Sequence, residues 1–317
     1  MSSLSIIGLL SGKGGVGKTT ITANLGAALT DTFKKNVVIF DMNIHTSNLG
    51  LHLGMYEDPP ITLREILKRN ASITRAIYIH PSTGIRIIPA PLNGDSGRIT
   101  ITKAKKLVNQ IKNNYEMVLL DCAPGLGKEV ITAISAIDEA LVVTTPDIPA
   151  VTDLMKTIDI LKKMKKNILG IVLNRCENRS YMLTQNEVES TCGCKVIAKI
   201  PEDVKIPISI SRGIPAILLY PNSSASKSLK NLAGYLVGEI YHEESVWERI
   251  KNLIGLGKHL PLIKKEKIKT QGKKEDRKME ISDLKKMKKE LMKEVKEEFK
   301  KEIIEKVKER LSEEYAG

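Results

Sequence analysis

Ten residues near the start of the chain constrain its fold more than anything that follows. Ser11 to Thr20 reads SGKGGVGKTT, preceded by the apolar run Ser5–Leu10 and followed by a helix-forming stretch from Lys18 to about Thr30. The spacing is G-x-x-x-x-G-K-[ST], with Gly12, Gly17, Lys18 and Thr19 at the fixed positions. Glycines there let backbone N–H groups converge on an anion without Cβ clashes. A strand before and a helix after complete the context, because the helix N-terminus adds its positive dipole end. The expected ligands are ATP and Mg²⁺. Ser11, Gly12, Lys13, Gly14, Gly15, Val16, Gly17, Lys18, Thr19 and Thr20 form the cradle. Lys18 places a point charge on the β- and γ-phosphates, and the Thr19 hydroxyl ligates the metal.

The pattern beyond the loop predicts an α/β fold: a doubly wound, mostly parallel sheet flanked by helices, with a C-terminal helical extension. Near-continuous apolar runs occur at Asn36–Asp41, Ile85–Pro89, Met117–Asp121, Ala140–Thr145, Ile168–Asn174 and Lys195–Ile200. Strands of that composition are covered on both faces, as in a parallel sheet. Helical patterns between them, such as Asp153–Lys165, supply the crossovers, and a helix over about Ser224–Tyr241 closes the domain. The expected organisation is an ATPase domain over 1–242, an amphipathic helix over 243–258, a basic linker over 259–280 and a long charged helix over 281–317.

Composition narrows the function classes. With 42% hydrophobic residues among 317, the chain can bury a core, and four cysteines do not make a disulfide scaffold. They suggest a reducing compartment and a cytoplasmic protein. The first ten residues lack a basic n-region and run straight into the phosphate loop, so they read as a strand rather than a signal peptide. No apolar run is long enough to span a bilayer. The formal net charge is +13. Much of the excess sits in Lys258–Lys278, with nine basic and three acidic residues, whereas Met279–Gly317 carries eleven of each. The basic stretch is either a solvated linker or a segment attracted to anionic lipid or nucleic acid.

Two strand-end carboxylates stand where open α/β sheets bind ligands. Asp41 ends NVVIFD, and Asp121 ends MVLLD before Cys-Ala-Pro-Gly125. Lys13, early in the loop, is a second lysine, and the form KGGVGKTT resembles the MinD/ParA family of deviant Walker ATPases, most closely its MinD branch. The resemblance covers most of residues 1–242. It implies an ATP-dependent homodimer in which Lys13 reaches the phosphates of the partner's nucleotide. It implies that Asp41 to Gly50, with Asn48-Leu49, is a first switch and that Asp121 to Gly125 is the Walker B end and second switch. Thr19, Asp41 and Asp121 are then the metal side of the site, and Lys13, Lys18, Asp41, Asn43 and Asp121 the catalytic set. Asn43 departs from the family, which has an aspartate there. An amide hydrogen-bonds water but cannot accept its proton, so slow turnover is expected. The resemblance also assigns an adenine pocket to Asn174, Arg175, Pro201, Glu202 and Asp203.

The tail adds a second set of expectations. In Ser245–Leu256, Val246, Trp247, Ile250, Leu253 and Ile254 share one helical face flanked by Arg249, Lys251 and Lys258. Such a helix suits a bilayer interface, and it resembles the membrane-targeting helix that ends MinD chains. It equally suits packing on its own domain or on a partner. Dimerisation would double it and make attachment ATP-dependent, giving reversible peripheral association with the inner face of the cell membrane. The terminal helix is an addition to the family pattern. Met287, Leu291, Val295, Phe299, Ile303, Val307 and Leu311 recur every fourth residue, so their stripe drifts and a long left-handed coiled coil is not specified. A protein partner or a solvated helix fits it. Cys192-Gly-Cys194 is spaced C-x-C, and neither it nor the five histidines gives a ligand set of recognised spacing.

The resemblance therefore points to a positioning ATPase for cell-division or other complexes. A DNA-segregation ATPase, with DNA as its partner, a nucleotide-gated scaffold with little hydrolysis, and an iron–sulfur carrier are the alternatives.

Overall fold

The computed structural model describes residues 5–241 apart from 45–46, 70–71, 82 and 93–98. The chain divides between Glu243 and Glu244, and every described residue belongs to the first unit. The predicted amphipathic helix, basic linker and charged helix lie outside the described residues.

The strands are β1 (Ser5–Leu10), β2 (Val37–Asp41), β3 (Tyr78–Ile79), β4 (Arg86–Ile88), β5 (Met117–Asp121), β6 (Glu139–Thr144), β7 (Asn167–Cys176) and β8 (Val196–Pro201). They form one sheet in the order β3-β4-β2-β5-β1-β6-β7-β8. Among the described strands only β3, at one edge, runs antiparallel to its neighbour. The helices are α1 (Lys18–Ala27), α2 (Leu49–His52), α3 (Leu63–Arg69), α4 (Ile101–Lys112), α5 (Lys128–Ala136), α6 (Ile148–Lys163), α7 (Gln185–Cys192), α8 (Lys205–Ser211), α9 (Ala216–Leu219) and α10 (Ser224–Val237).

All five residues of β2 and of β5 are buried, as strands clothed on both faces must be. The side chains of the two faces enter two cores. Phe40, Leu120 and Val142 point to the core under α4, α5 and α6, while Ile39, Leu119 and Val143 point to the one under α1 and α10. In α4 the buried set is Ala104, Leu107, Val108 and Ile111, an i, i+3, i+4, i+7 stripe. By contrast α1 is buried almost all round from Ile21 to Ala27. It lies so close to the sheet that a Cβ on Gly26 would meet Ile39 at 2.3 Å. Caps set the starts: Thr100, Asp147 and Ser223 each accept a first-turn N–H, and Thr184 with Glu187 forms a capping box.

Element bounds differ from the sequence reading in three instructive places. The first helix becomes a π-turn over Ala28–Thr32 instead of continuing as α-helix. The helix expected over Asp153–Lys165 begins a turn earlier, because Pro149 sits in the first turn, where its missing N–H costs nothing. And β7 does not end at Asn174. It runs on to Cys176 through Arg175, whose φ of 55° is left-handed and turns the strand end.

Candidate nucleotide-binding site

Parallel strands put their carboxyl ends on one side of the sheet, and the loops after β1, β2, β5, β7 and β8 meet there. The loop Ser11–Gly17 leaves β1 and enters α1 through Gly17 at φ +91°, with Gly15 at +81°. Those angles belong to glycine. Gly12 answers a different need: a Cβ there would lie 2.3 Å from the backbone carbonyl of Asp153, so the loop lies against the backbone of α6. A Cβ on Gly17 would lie 2.1 Å from Asn174 Nδ2.

Inside the loop a compact ionic cluster forms. Lys18 Nζ donates to Asp121 Oδ1 at 2.6 Å, and both side chains are almost wholly buried. Thr19 Oγ1 donates to Asp121 Oδ2 at 2.8 Å, and Thr22 Oγ1 reaches Oδ1 at 3.2 Å. Asp41 and Asp121 are register partners on adjacent strands, so two carboxylates stand side by side at the mouth of the groove. Burial, with the negative charge of Asp121 second, pushes the Asp41 carboxyl up to about 7, against the opposing hydrogen bonds from Ser47 and Asn43. Ser47 Oγ donates to one Asp41 oxygen at 2.6 Å and the Asn43 N–H to the other at 2.9 Å. Of the expected metal residues, Thr19 and Asp121 touch each other directly, and Asp41 stands behind them in the neighbouring strand. These hard oxygens fit Mg²⁺, which favours one or two carboxylates beside phosphate and water. The Ser11 hydroxyl, just before the loop, is buried without a hydrogen-bond partner.

Around the cluster the surface opens into three recesses that share lining residues. One of 410 Å³ is walled by Gly14 to Thr20, Asn43, Asn48, His52 and Pro124. A phosphate chain laid there meets the N-terminus of α1 and the free amides of the loop. A second of 330 Å³ lies on the outer side of the loop, where exposed Lys13 faces Thr145, Asp147, Tyr181 and Met182. A third of 110 Å³ is lined by Asn174, Arg175, Ile200, Pro201, Glu202 and Asp203, all from the predicted base pocket or beside it. Arg175 borders all three recesses and lies 3.8 Å from Glu202.

Two placements refine the sequence reading. Asn174 Nδ2 donates to the Val16 carbonyl at 2.8 Å, so its amide ties the phosphate loop to β7 as well as facing the base recess. Asp203 accepts from the N–H groups of Lys205 and Ala225 and from Ser224 Oγ; it caps chain turns at the floor of that recess.

Sequence reasoning missed several residues. Ile206, Ile210 and Leu229 complete the third recess from α8 and α10 and carry no signature of their own. Thr22 and Ser47 were invisible as carboxylate partners. His52 bridges Thr20 and Asn48, although it had no partner at ligand spacing. Cys122, next to Asp121, is buried and its thiol is pushed up to about 12 by that burial. Among the described residues no three His, Cys, Asp or Glu side chains gather to hold a metal ion, and no helix is long and apolar enough to cross a membrane.

With the geometry in place, the chain can be set beside known proteins. Residues 3–237 match the ParA family, described as NUBPL iron-transfer P-loop NTPase. An uncharacterized ATP-binding protein of Methanocaldococcus jannaschii is 35% identical over 257 residues, 78% of this chain and 96% of the relative. The crystal structure of the Pyrococcus furiosus cell division ATPase MinD superimposes with a TM-score of 0.69 at 34% identity, covering 74% of this chain and 98% of that one. The septum site-determining protein MinD of Pyrococcus horikoshii, solved with Mg-ADP, gives 0.69 at 33% identity, covering 73% and 95%.

Proposed function

This chain belongs to the ParA family of P-loop NTPases, close in sequence and structure to MinD proteins, and from that premise we propose that it is an ATP-driven positioning protein. In this reading it binds Mg-ATP, pairs face to face with a second copy while the terminal phosphate is present, and gathers on the membrane in that state. The pairing serves to place a cell-division or other complex in the cell.

The observation that carries the reading is the buried cluster of Lys18, Thr19 and Asp121 at the base of a glycine-built cradle. It is an anion site with its own cation, its own metal-side carboxylate and a helix N-terminus aimed at the same point. That a MinD relative was solved with Mg-ADP supports the choice of nucleotide. Lys18 would bind the β- and γ-phosphates, and Thr19 and Asp121 would hold Mg²⁺, which supplies charge neutralisation at the transferred phosphoryl group. Asn174, Arg175, Pro201 and Glu202 would form one wall of the base recess, with Ile206 and Ile210 opposite. Lys13 is exposed on the outer side of the loop, where a charge can serve a second subunit's triphosphate as it closes over the groove.

Asn43 gives the cycle its tempo in this reading. Its side chain lies at the groove and can orient a water, but it has no carboxylate to take that water's proton. Hydrolysis is therefore slow and the ATP-bound pair long-lived. In a single-turnover assay Asn43→Asp should hydrolyse faster than the wild type; equal rates would remove the role given to Asn43.

Membrane attachment rests on the 243–258 segment and dimerisation on Lys13. The deciding experiment sediments the full chain with anionic liposomes in ATP, ADP and a non-hydrolysable analogue, alongside sizing of the same samples without lipid. Pelleting and dimer size should both rise with ATP and with the analogue, and fall with ADP. Trp247→Glu should abolish pelleting while leaving the dimer. A protein whose size and sedimentation ignore the nucleotide would refute the reading.

A further inference from the structure

The groove holds one side chain that the reading above leaves without a task. His52 ends α2 and faces α1: its Nε2 lies 3.1 Å from Thr20 Oγ1, and its Nδ1 lies 2.8 Å from the Asn48 carbonyl oxygen. A carbonyl only accepts, so Nδ1 carries a proton. In the neutral ring Nε2 is then a bare lone pair and takes the hydroxyl proton of Thr20. Yet Thr20 stands in the first turn of α1, on the wall of the groove that would receive the phosphates. Its single proton can go to His52 or to a phosphate oxygen, not to both.

We propose that His52 is a positioning residue that takes up one proton when the phosphate chain of a nucleotide fills the groove, an inference that rests on the nucleotide-binding reading. The imidazolium keeps Nδ1–H on the Asn48 carbonyl and turns Nε2–H into a donor to Thr20 Oγ1. The Thr20 hydroxyl then points its own proton at the phosphate. One proton enters from solvent and the only new covalent bond is N–H. Every link of the chain from Asn48 through His52 and Thr20 to the phosphate is satisfied, and a cationic ring faces an anion.

The surroundings give the sign. Burial holds the imidazole below its ordinary value, against the Asn48 hydrogen bond and the charge of Asp121, with Lys18 adding to the depression. Arg175 lines the same groove from β7, and α8 contributes uncharged Ile210. The ring therefore favours its neutral form until an anion arrives, and an anion beside it raises its pKa. Affinity for nucleotide gains from His52 as pH falls through the interval between the two values, and the gain is lost above it.

The test measures ADP binding by calorimetry from pH 5.5 to 8 in buffers of different ionisation enthalpy, for the wild type, His52→Val and His52→Gln. Titration of the ADP phosphate and of Asp41 is common to all three, so the differences isolate the ring. The wild type should take up as much as one more proton than His52→Val, and its affinity should rise more steeply on acidification, by up to about tenfold per pH unit. Gln offers an uncharged N–H near the Nε2 position. It should bind ADP better than Val at pH 8 yet lack the extra slope. Equal proton uptake and equal slopes in the wild type and His52→Val would overturn the role of His52 while leaving nucleotide binding intact. Failure of the wild type to bind ADP at every pH would instead bring down the nucleotide reading itself.

Discussion

The two ends of the groove are built in opposite ways, and in the nucleotide reading proposed above one would take the phosphates and the other the base. At the phosphate end, charge is buried and interlocked: Lys18, Asp121, Thr19 and Thr22 form one hydrogen-bonded knot, and both oxygens of Asp41 are engaged. At the base end the walls are mostly apolar side chains of β8, α8 and α10, and the ion pair of Arg175 and Glu202 there is about half exposed. The strands supporting that end are less regular too, since β7 and β8 pair with two shifts of register. A triphosphate presents the same charge in every nucleotide, so its cradle can be rigid and stereotyped. A base presents a flat apolar face with a few edge groups, and many combinations of side chains suffice to hold it. Asn174 ties the two ends, its amide reaching from one recess to the Val16 carbonyl.

Three substitutions and one chemical probe break or sharpen this contrast. The largest effect belongs to Lys18→Met. It leaves Asp121 buried without its cation, which costs about 3–5 kcal/mol of stability in the nucleotide-free protein. Urea denaturation reads that loss, and ADP affinity should drop on the order of a hundredfold or more, since charge-assisted bonds contribute about 1.5–3 kcal/mol each. An unchanged denaturation midpoint would mean the knot is not held by charge.

Next comes Asn174→Ala, which strips the Val16 carbonyl of its partner at about 1–3 kcal/mol. Because the loop itself loosens, pyrophosphate and ADP should both bind more weakly. A loss confined to ADP would assign Asn174 to the base alone and cut the tie between the two ends.

Ile206→Ser is smaller and one-sided. Losing apolar contact with the base should weaken ADP by about 1 kcal/mol and leave pyrophosphate binding unchanged. A parallel loss for pyrophosphate would show that the two ends are not separable.

The mildest probe is chemical. Burial keeps the Cys122 thiol protonated well beyond neutrality. A maleimide at pH 8 should therefore spare Cys122 in the native chain and label it only after unfolding. Rapid native labelling at that position would mean that the phosphate end breathes as freely as the base end.

This contrast also explains what the sequence disclosed. The cradle was legible because its geometry excludes other residues: a Cβ at Gly12 or Gly17 collides with α6 or with Asn174, so the glycines must appear at fixed spacing. Asp41 and Asp121 were legible because a carboxylate closing an apolar strand is conspicuous. The alternation of buried strands and crossover helices made the sheet readable for the same reason. The far wall of the base recess was not legible, because Ile206, Ile210 and Leu229 look like any core residues and are brought together only by the fold. His52 escaped because its partners are a hydroxyl 32 positions away and a backbone carbonyl, neither of which leaves a spacing pattern. The short helices α2, α8 and α9, with seven residues or fewer, are held by tertiary packing and not by local propensity.

The root of the tail is fastened in a telling place. Lys230, in the middle of α10, reaches both the Pro221 carbonyl and the Tyr241 hydroxyl, and its ammonium sits 5.2 Å from the centre of the Tyr241 ring. The residue before it, Leu229, is part of the wall of the base recess. The contact that fastens Tyr241 to α10 thus lies one residue from the wall of that recess, so displacing Tyr241 would disturb the helix beside it.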